Sequence, residues 1–542
     1  MRRSNARTRV DSKSKQMDPI KLQIRPSSRP NLFARNSKTT KSNYMAFASI
    51  FIALAFFLCY LFVFGRNSQN IAKKKYGIVI DGGSTGTRIH VFKYKVESGN
   101  AVFDFVKDGL ASMRVNPGLS SYGEEPNGAG ESLAELLEFG KGRVPKENWG
   151  DTEIRLMATA GLRMLELGVQ ERILESCRRV LRSSGFKFRD EWASVIKGSD
   201  EGIYAWVIAN YALGTLGGDP LPTLGIIELG GASAQVTFVS SEPMPSEFSH
   251  AVRFGNTTYN LYSHSFLQFG QNVAFDSLRE ALISGDVKLA TKTLQKGLSI
   301  DPCIPKGYSH NVESWNLSPG SLGINRQSTL QTRGNFTECR SAALMLLQKG
   351  KEKCSYQHCY LGSTFMPKLQ GKFLATENFF YTSKFFGLEP RAFLSDLMIA
   401  GQQFCEEDWP KLKKKYQSLD EEDLLRYCFS SSYIVAMLHD SLGVALDDER
   451  IVVSNQVGSI PLDWALGAFI LQSMADLNVQ QHTDWIATFI NDDSPTLLSL
   501  IGILIILMFT AWSVSWWRKT QLKTIYDLEK GRYIVTQVGR SW

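Results

Sequence analysis

The stretch Asp81-Gly82-Gly83-Ser84-Thr85-Gly86-Thr87-Arg88 lies between two apolar runs, Tyr76-Gly77-Ile78-Val79-Ile80 before it and Ile89-His90-Val91-Phe92 after it. Short apolar runs bounded by turn residues read as buried strands, so the stretch is a glycine-rich hairpin. Glycines let the backbone turn tightly and approach a ligand, while successive N–H groups and the Ser and Thr hydroxyls offer donors that suit phosphate oxygens. An acid at the strand end, Asp81, can hold a hydrated divalent cation beside those phosphates. Taken alone, Gly-Gly-Ser-Thr is equally ordinary turn chemistry.

A second copy decides between these readings. Leu224-Gly225-Ile226-Ile227 reads as a strand, Glu228-Leu229-Gly230-Gly231-Ala232-Ser233-Ala234-Gln235 repeats acid, glycine pair and small hydroxyl residue, and Val236-Thr237-Phe238-Val239 reads as the return strand. Two such hairpins point to a duplicated α/β fold that clasps phosphate from both sides.

The chain of 542 residues is long enough for two or more domains, and its charge is unevenly spread. Residues 1–44 carry 12 Lys and Arg against Asp11 and Asp18, which reads as a disordered basic tail. The uncharged apolar run 45–65 is long enough to cross a bilayer as a signal anchor, and 66–75 follows as a basic stalk. A second apolar run, 496–517, ends in Trp512, Trp516 and Trp517, which suit an interfacial belt, and 518–542 is again basic, at +4. With both outer tails basic, both termini are expected in the cytosol and the middle on the other side. Of the total +8, residues 66–495 hold −6, so the basic balance is a membrane-orientation signal and no nucleic-acid partner is expected. Lys411 to Lys415 reads as a solvated surface stretch.

Cysteines bear on the same topology. Cys59 falls in the first span and Cys177 in a helical apolar stripe with Ile173, Leu174, Val180 and Leu181, where it reads as a buried free thiol. Cys303, Cys339, Cys354, Cys359, Cys405 and Cys428 permit fifteen pairings, among which sequence cannot choose. A zinc site from Cys354, His358 and Cys359 is conceivable but lacks a matching second pair. Sequons at Asn256, Asn316 and Asn335 fall in the same region. Paired cysteines and clustered sequons both fit an extracellular or lumenal compartment.

Between the hairpins, Asn116 to Gly130 is turn-rich, Ser132 to Phe139 reads as a helix, and Ile154 to Ala158 as a strand. Thr159 at that strand's end is placed either for ligand contact or as the cap of the helix that follows. Asp200 and Glu201 open another helix, where an acid pair offsets the helix dipole or exposes a base, Glu201, at a cleft. Gly217 to Pro220 closes the first half. In the second half, Asn378-Phe379-Phe380-Tyr381 with Phe385 and Phe386 forms an aromatic cluster that serves as core or stacks a flat base. Pro461 to Ala468 is a loop entering a final helix.

Five segments, Asp81 to Arg88, Ala158 to Arg163, Gly198 to Trp206, Glu228 to Gln235 and Trp464 to Gly467, together resemble the apyrases, or nucleoside triphosphate diphosphohydrolases, in the order that family has them. The resemblance spans 76 to about 480 and, with two apolar runs, looks closest to the membrane apyrases of plants. It implies a duplicated actin-like, hexokinase-like (ribonuclease H-like) two-lobe fold between two transmembrane helices, with lobes at 76–220 and 221–480 and the final helix returning to the first lobe. It implies hydrolysis of nucleoside tri- and diphosphates to the monophosphate with Ca2+ or Mg2+.

By matching motif, Glu201 resembles the general base, and Ser233 with Gln235 the pair that orients the attacking water. Asp81, Gly82, Gly83, Ser84, Thr85, Gly86, Thr87, Arg88, Glu228, Gly230, Gly231 and Ala232 resemble the phosphate cradle, with Asp81 and Glu228 holding the metal through water. Thr159 resembles a further phosphate-side contact and Trp464 a residue of inner-lobe packing, while Phe380 and Tyr381 are the candidates for stacking the base. The resemblance also implies the pairs Cys303 with Cys339, Cys354 with Cys359, and Cys405 with Cys428. The family usually has Asp where this chain has Glu228, and the extra methylene moves the carboxylate that holds metal-bound water.

A narrow lumenal nucleoside diphosphatase, a kinase on the same fold, and a non-catalytic nucleotide-binding membrane protein are the alternatives. The two spans offer a route to homo-oligomers, and topology suits the cell surface and the Golgi lumen equally.

Overall fold

The computed structural model describes residues 74–97, 100–103, 109–284, 298–308 and 329–473, with short pieces at Ile52, Ala55, 502–503, 505–510, 522–527 and 531–537. Among the described residues no helix is long and apolar enough to cross a membrane. The expected span 45–65 lies almost wholly outside those residues and 496–517 largely so, while the tail 1–44, Cys59 and Asn316 lie wholly outside them.

The first sheet holds β1 (Lys74–Gly82), β2 (Thr87–Glu97), β3 (Asn100–Phe103), β4 (Leu110–Val115), β5 (Glu153–Ala158) and β6 (Ala193–Val195). The second holds β7 (Gly225–Leu229), β8 (Ser233–Val239), β9 (Ser249–Phe254) and β10 (Thr257–Leu267). A separate pair, β11 (Leu298–Asp301) and β12 (Thr329–Thr332), precedes its last members, β13 (Phe373–Glu377) and β14 (Ile451–Val453). In the first sheet β1 pairs antiparallel with β2 and parallel with β5, which pairs parallel with β6. In the second, β7 pairs antiparallel with β8 and parallel with β13, which pairs parallel with β14. Each sheet thus repeats one plan: a hairpin at its middle and two parallel strands on one side, with a further antiparallel strand on the other, β4 beside β2 and β10 beside β8. The fold is a two-lobe α/β duplication.

Alternation along β1 and β2 explains the layers. Ile78, Ile80, Ile89 and Val91 pack outward with Leu136, Leu137, Ile173 and Leu174 from the helices Ala134–Arg143 and Leu167–Arg182. Val79 and Phe92 face inward and join Ile226 of the second sheet in one core with the helix Gly198–Ala212 and the helix 464–473. Those two helices form the layer between the sheets. They cross where Gly467 meets Tyr204: a Cβ on Gly467 would lie 1.9 Å from the Tyr204 carbonyl oxygen. Gly202 lets the first of them sit against β8, since a Cβ there would lie 2.4 Å from Thr237 Oγ1.

One element differs from the sequence reading. The turn-rich stretch contains a helix, Pro126–Glu131, and the next helix starts at Ala134 rather than Ser132. The short helix docks on Leu167–Arg182: Gly130 N–H donates to Ser176 Oγ at 3.2 Å, and the Ser176 hydroxyl donates to the Asn127 carbonyl at 2.9 Å. A tertiary contact here overrides local composition.

The six cysteines of the second half join as Cys303–Cys339, Cys354–Cys359 and Cys405–Cys428. The second bond removes both thiolates a zinc site would need. Cys177 is a buried free thiol, which desolvation pushes up to about 12. Asn256 is exposed in the turn between β9 and β10, whereas Asn335 caps the helix Phe336–Leu347 by accepting from the Glu338 N–H at 2.9 Å. The lysines of 411–415 are exposed on a helix that buries Leu412.

The helix crossing makes a prediction. Gly467→Ala forces the central helices apart and should cost about 1–3 kcal/mol, whereas Gly142→Ala, with nothing within 4 Å of the added carbon, should be neutral or slightly stabilising. Thermal midpoints of the two variants check this, and an equal effect would refute the packing argument.

Candidate active site

Because β1 and β7 occupy matching places in their sheets, their two turns meet. A Cβ on Gly231 would lie 2.8 Å from Thr85 Cγ2 and 2.9 Å from Ser84 Oγ, so the second turn touches the first only because glycine stands there. Between them opens a cleft of about 710 Å³, open solvent at its mouth included, lined from the first turn by Asp81, Gly83 to Gly86 and Arg88 and from the second by Glu228 and Gly230 to Ser233. Two expected cradle residues lie behind it. Gly82 backs onto Leu119 and Ala158, and Thr87 is fully buried, its hydroxyl without a partner among the described residues.

The helix Gly198–Ala212 delivers Glu201 to the cleft, 8% exposed. Arg163, at the end of the short helix Ala160–Arg163, donates from Nη2 to Glu201 Oε2 at 2.6 Å. It reaches that carboxylate across Gly198, where a Cβ would lie 2.3 Å from Arg163 Nη1. Burial raises the pKa of Glu201, and the guanidinium opposes that rise. One residue on, a Cβ at Gly202 would lie 3.5 Å from Gln235 Cβ, so the helix that carries Glu201 packs directly against Gln235. Gln235 donates from Nε2 to Ser233 Oγ at 2.6 Å and to Ser265 Oγ at 3.1 Å, and Ser233 and Gln235 are each 2% exposed. Thr159 stands at the N-terminus of the helix Ala160–Arg163, but its side chain makes no capping bond and lines the cleft instead.

Four charged residues of the site escaped the sequence reading. Arg114, on β4, donates to Thr85 Oγ1 at 2.9 Å and braces the first turn. Asp463 accepts from Arg88 Nη1 at 3.1 Å and from the Ala465 N–H at 3.0 Å, tying the first turn to the start of the last helix. Arg163 and Asp463 lie in or beside quoted segments, and their charge was the available signal. Glu377, at the end of β13, lines the cleft and belongs to no motif; only its place at the end of a parallel strand pointed to it. Trp464 lines the cleft and stacks on Tyr204, with ring centroids 6.4 Å apart. Of the aromatic candidates, Phe379 is core, Phe380 is half-buried, and Tyr381 is exposed.

The charges are unbalanced. Asp81, Glu201, Glu228, Glu377 and Asp463 face Arg88, Arg114 and Arg163. Burial, and then the neighbouring carboxylates, hold Asp81 and Glu228 well above the usual carboxylate range. One oxygen of each, Asp81 Oδ1 and Glu228 Oε2, is buried without a hydrogen-bond partner among the described residues. A buried carboxylate without a donor calls for a cation or ordered water. Among the described residues no three acidic, His or Cys side chains gather closely enough to ligate an ion directly. The arrangement therefore fits a hydrated divalent ion contacted through its waters.

A pH dependence follows. A carboxyl whose folded pKa is raised contributes stability that is complete below its unfolded value, 4.5 for Glu228, and lost as pH rises through the folded value. In EDTA at pH 7.5, Glu228→Gln should therefore melt above the wild type, by about 1.4 kcal/mol for each unit of that rise. The gap should close toward pH 4, and a wild type at least as stable as the variant at pH 7.5 would overturn this account.

Comparisons agree with this geometry. Residues 67–484 match the GDA1/CD39 (nucleoside phosphatase) family. The chain is 57% identical over 557 residues to the protein named Probable apyrase 6 of Arabidopsis thaliana, covering 99% of this chain and 100% of that one. It is 30% identical over 424 residues to ectonucleoside triphosphate diphosphohydrolase 3 of Mus musculus, covering 72% and 77% of the two chains. A crystal structure of nucleoside triphosphate hydrolases from Neospora caninum superposes with a TM-score of 0.56 at 18% identity, over 81% of this chain and 97% of that one, which shows a shared fold. The chain is a member of the GDA1/CD39 (nucleoside phosphatase) family, and its reaction is the hydrolysis of nucleoside tri- and diphosphates.

Proposed function

We propose that Glu201 is the general base of this hydrolysis, acting on a water held by Ser233 and Gln235. The observation that carries the reading is the meeting of the two turns beside these three side chains. The N–H groups and hydroxyls of Ser84 to Gly86 and Gly230 to Ala232 cradle the phosphates, with Thr159 and Arg88 beside them. The water attacks the terminal phosphorus in line with the leaving phosphate, and its proton passes to Glu201. Positioning and electrostatics dominate, because phosphoryl transfer asks little covalent chemistry of the protein. The family depends on a divalent cation; here Ca2+ or Mg2+, held through water by Asp81 and Glu228, would offset the phosphate charge.

In this proposal the chain spans a membrane twice, at 45–65 and 496–517, with both tails cytosolic and the lobes extracellular or lumenal. The three disulfides and the exposed Asn256 support that placement. Asn316 and Asn335 are further glycosylation candidates, and the spans a route to self-association.

Phosphate release by the full-length protein from ATP, ADP, UDP, GDP and AMP, with Ca2+, Mg2+ or EDTA, tests the reading. Release from tri- and diphosphates, none from AMP and loss in EDTA are expected; binding without release would favour a nucleotide sensor. Glu201→Gln should keep nucleotide binding and lose turnover by about 10²-fold or more, and unchanged turnover would remove Glu201 from its role. Arg163→Ala should move the acid limb of kcat/KM to higher pH, since the base is inactive while protonated and loses the charge that lowers its pKa. An acid limb that stays in place with reduced activity would make Arg163 merely structural.

A further inference from the structure

The register of the second sheet sets four polar residues side by side. Thr376 on β13 pairs with Glu228 on β7, Glu228 with Gln235 on β8, and Gln235 with Ser265 on β10. Residues in register share a face of a sheet, and this row lies on the inner face, with Leu374 and Ile226 of the central core in the same file. Glu228 and Gln235 belong to a segment with a recognisable motif, and β10 to none. Yet the inner face of β10 carries two serines, Ser263 and Ser265, and each is tied to a part of the site.

Ser263 donates from Oγ to the Ser199 carbonyl at 2.8 Å, in the first turn of the helix that carries Glu201. With its own hydrogen spent there, it accepts from Thr237 Oγ1 at 2.8 Å. Ser265 stands directly opposite Gln235 and accepts from its Nε2 at 3.1 Å, while Ser233 Oγ accepts from the same nitrogen at 2.6 Å. A side-chain amide has two N–H bonds, and both are taken, so what Gln235 offers the cleft it lines is the acceptor Oε1. An attacking water gives one proton to the general base and must keep a lone pair turned to phosphorus; an acceptor for its second proton fixes that orientation. A glutamine side chain turns about three bonds. One hydrogen bond would anchor its amide and leave it free to rotate, whereas two fix its plane. Gly198 gives Ser265 the room to do this, since a Cβ there would lie 2.2 Å from Ser265 Cβ.

We propose that Ser265 is a positioning residue of the hydrolysis, holding the Gln235 amide so that Oε1 accepts from the attacking water. The proposal rests on the reading of Gln235 as a residue that orients the water, and deepens it. Ser265 is not among the residues that line the cleft, so its effect belongs to kcat rather than to nucleotide binding. That effect is the same for tri- and diphosphates, because both are attacked by the same water.

The test measures kcat, KM and the pH profile of kcat/KM on ATP and ADP for full-length Ser265→Ala, Gln235→Ala and the double variant. Ser265→Ala should lower kcat about 10-fold on both nucleotides, leave KM nearly as it was and keep the acid limb of the profile in place. In the Gln235→Ala background the same substitution should cost nothing further, because the group it holds is gone. Ser265→Cys, similar in size with a weaker acceptor, should fall between and serves if the alanine variant does not fold. Full kcat in Ser265→Ala, or losses that multiply in the double variant, would overturn the proposal. So would an acid limb that moves, since Ser265 would then act through Arg163, its neighbour across Gly198. Full kcat in Gln235→Ala itself would instead remove the water-orienting reading, and this proposal with it; a slow Gln235→Ala beside a full-speed Ser265→Ala removes the proposal alone.

Discussion

The contact between Gly467 and the Tyr204 carbonyl sets how closely the two central helices pack, and through them the spacing of the sheets. Those helices share a single apolar core with inward-facing residues of both sheets, so neither lobe closes the inner face of its sheet alone. With the sheets held at that distance, the turns after β1 and β7 come into van der Waals contact at Gly231. The helix that makes the crossing also carries Glu201, and the helix it crosses begins at Asp463, the partner of Arg88. Packing in the middle of the molecule and the geometry of the site are therefore one constraint, transmitted by rigid elements rather than by loops.

That closeness has an electrostatic cost. Bringing two strand ends together buries Asp81 and Glu228 near Glu201, Glu377 and Asp463, and the three arginines do not cancel the charge. A protein that needed only stability would replace such acids with apolar residues. Their retention makes sense if the missing positive charge arrives from outside, with a polyphosphate whose own charge also demands it.

The arginines act at different places in this field. Arg163 holds the buried carboxylate of Glu201, Arg114 braces the first turn, and Arg88 joins that turn to the last helix. Removing one would disturb a different function in each case, although all three carry the same charge.

Much of this was legible in the chain. Both hairpins, their flanking strands, the helix bearing Glu201, the buried Cys177 and the exposed lysines of 411–415 follow from local pattern, because strand alternation and turn chemistry are short-range properties. The pairing of six cysteines was beyond local pattern and came only with the family resemblance. The helix Pro126–Glu131 was hidden by its glycines, since only docking on Ser176 reveals what they are for. Asp463, Arg163 and Arg114 carry no signal of whom they meet across tens or hundreds of residues. Glu377 is the clearest case: in sequence it is one acid before an aromatic run, and only Asn455, 78 positions away, and the pairing of β13 with β7 turn it into the cleft. By itself the sequence determined the two repeated glycine-rich hairpins and the acid and hydroxyl residues at their turns, because both are written in contiguous stretches. Which charges meet, and where a carboxylate is bent against its backbone preference, as at Glu377 with its φ of 58°, only the tertiary structure decided, because those depend on the distance between two sheets that no single segment encodes.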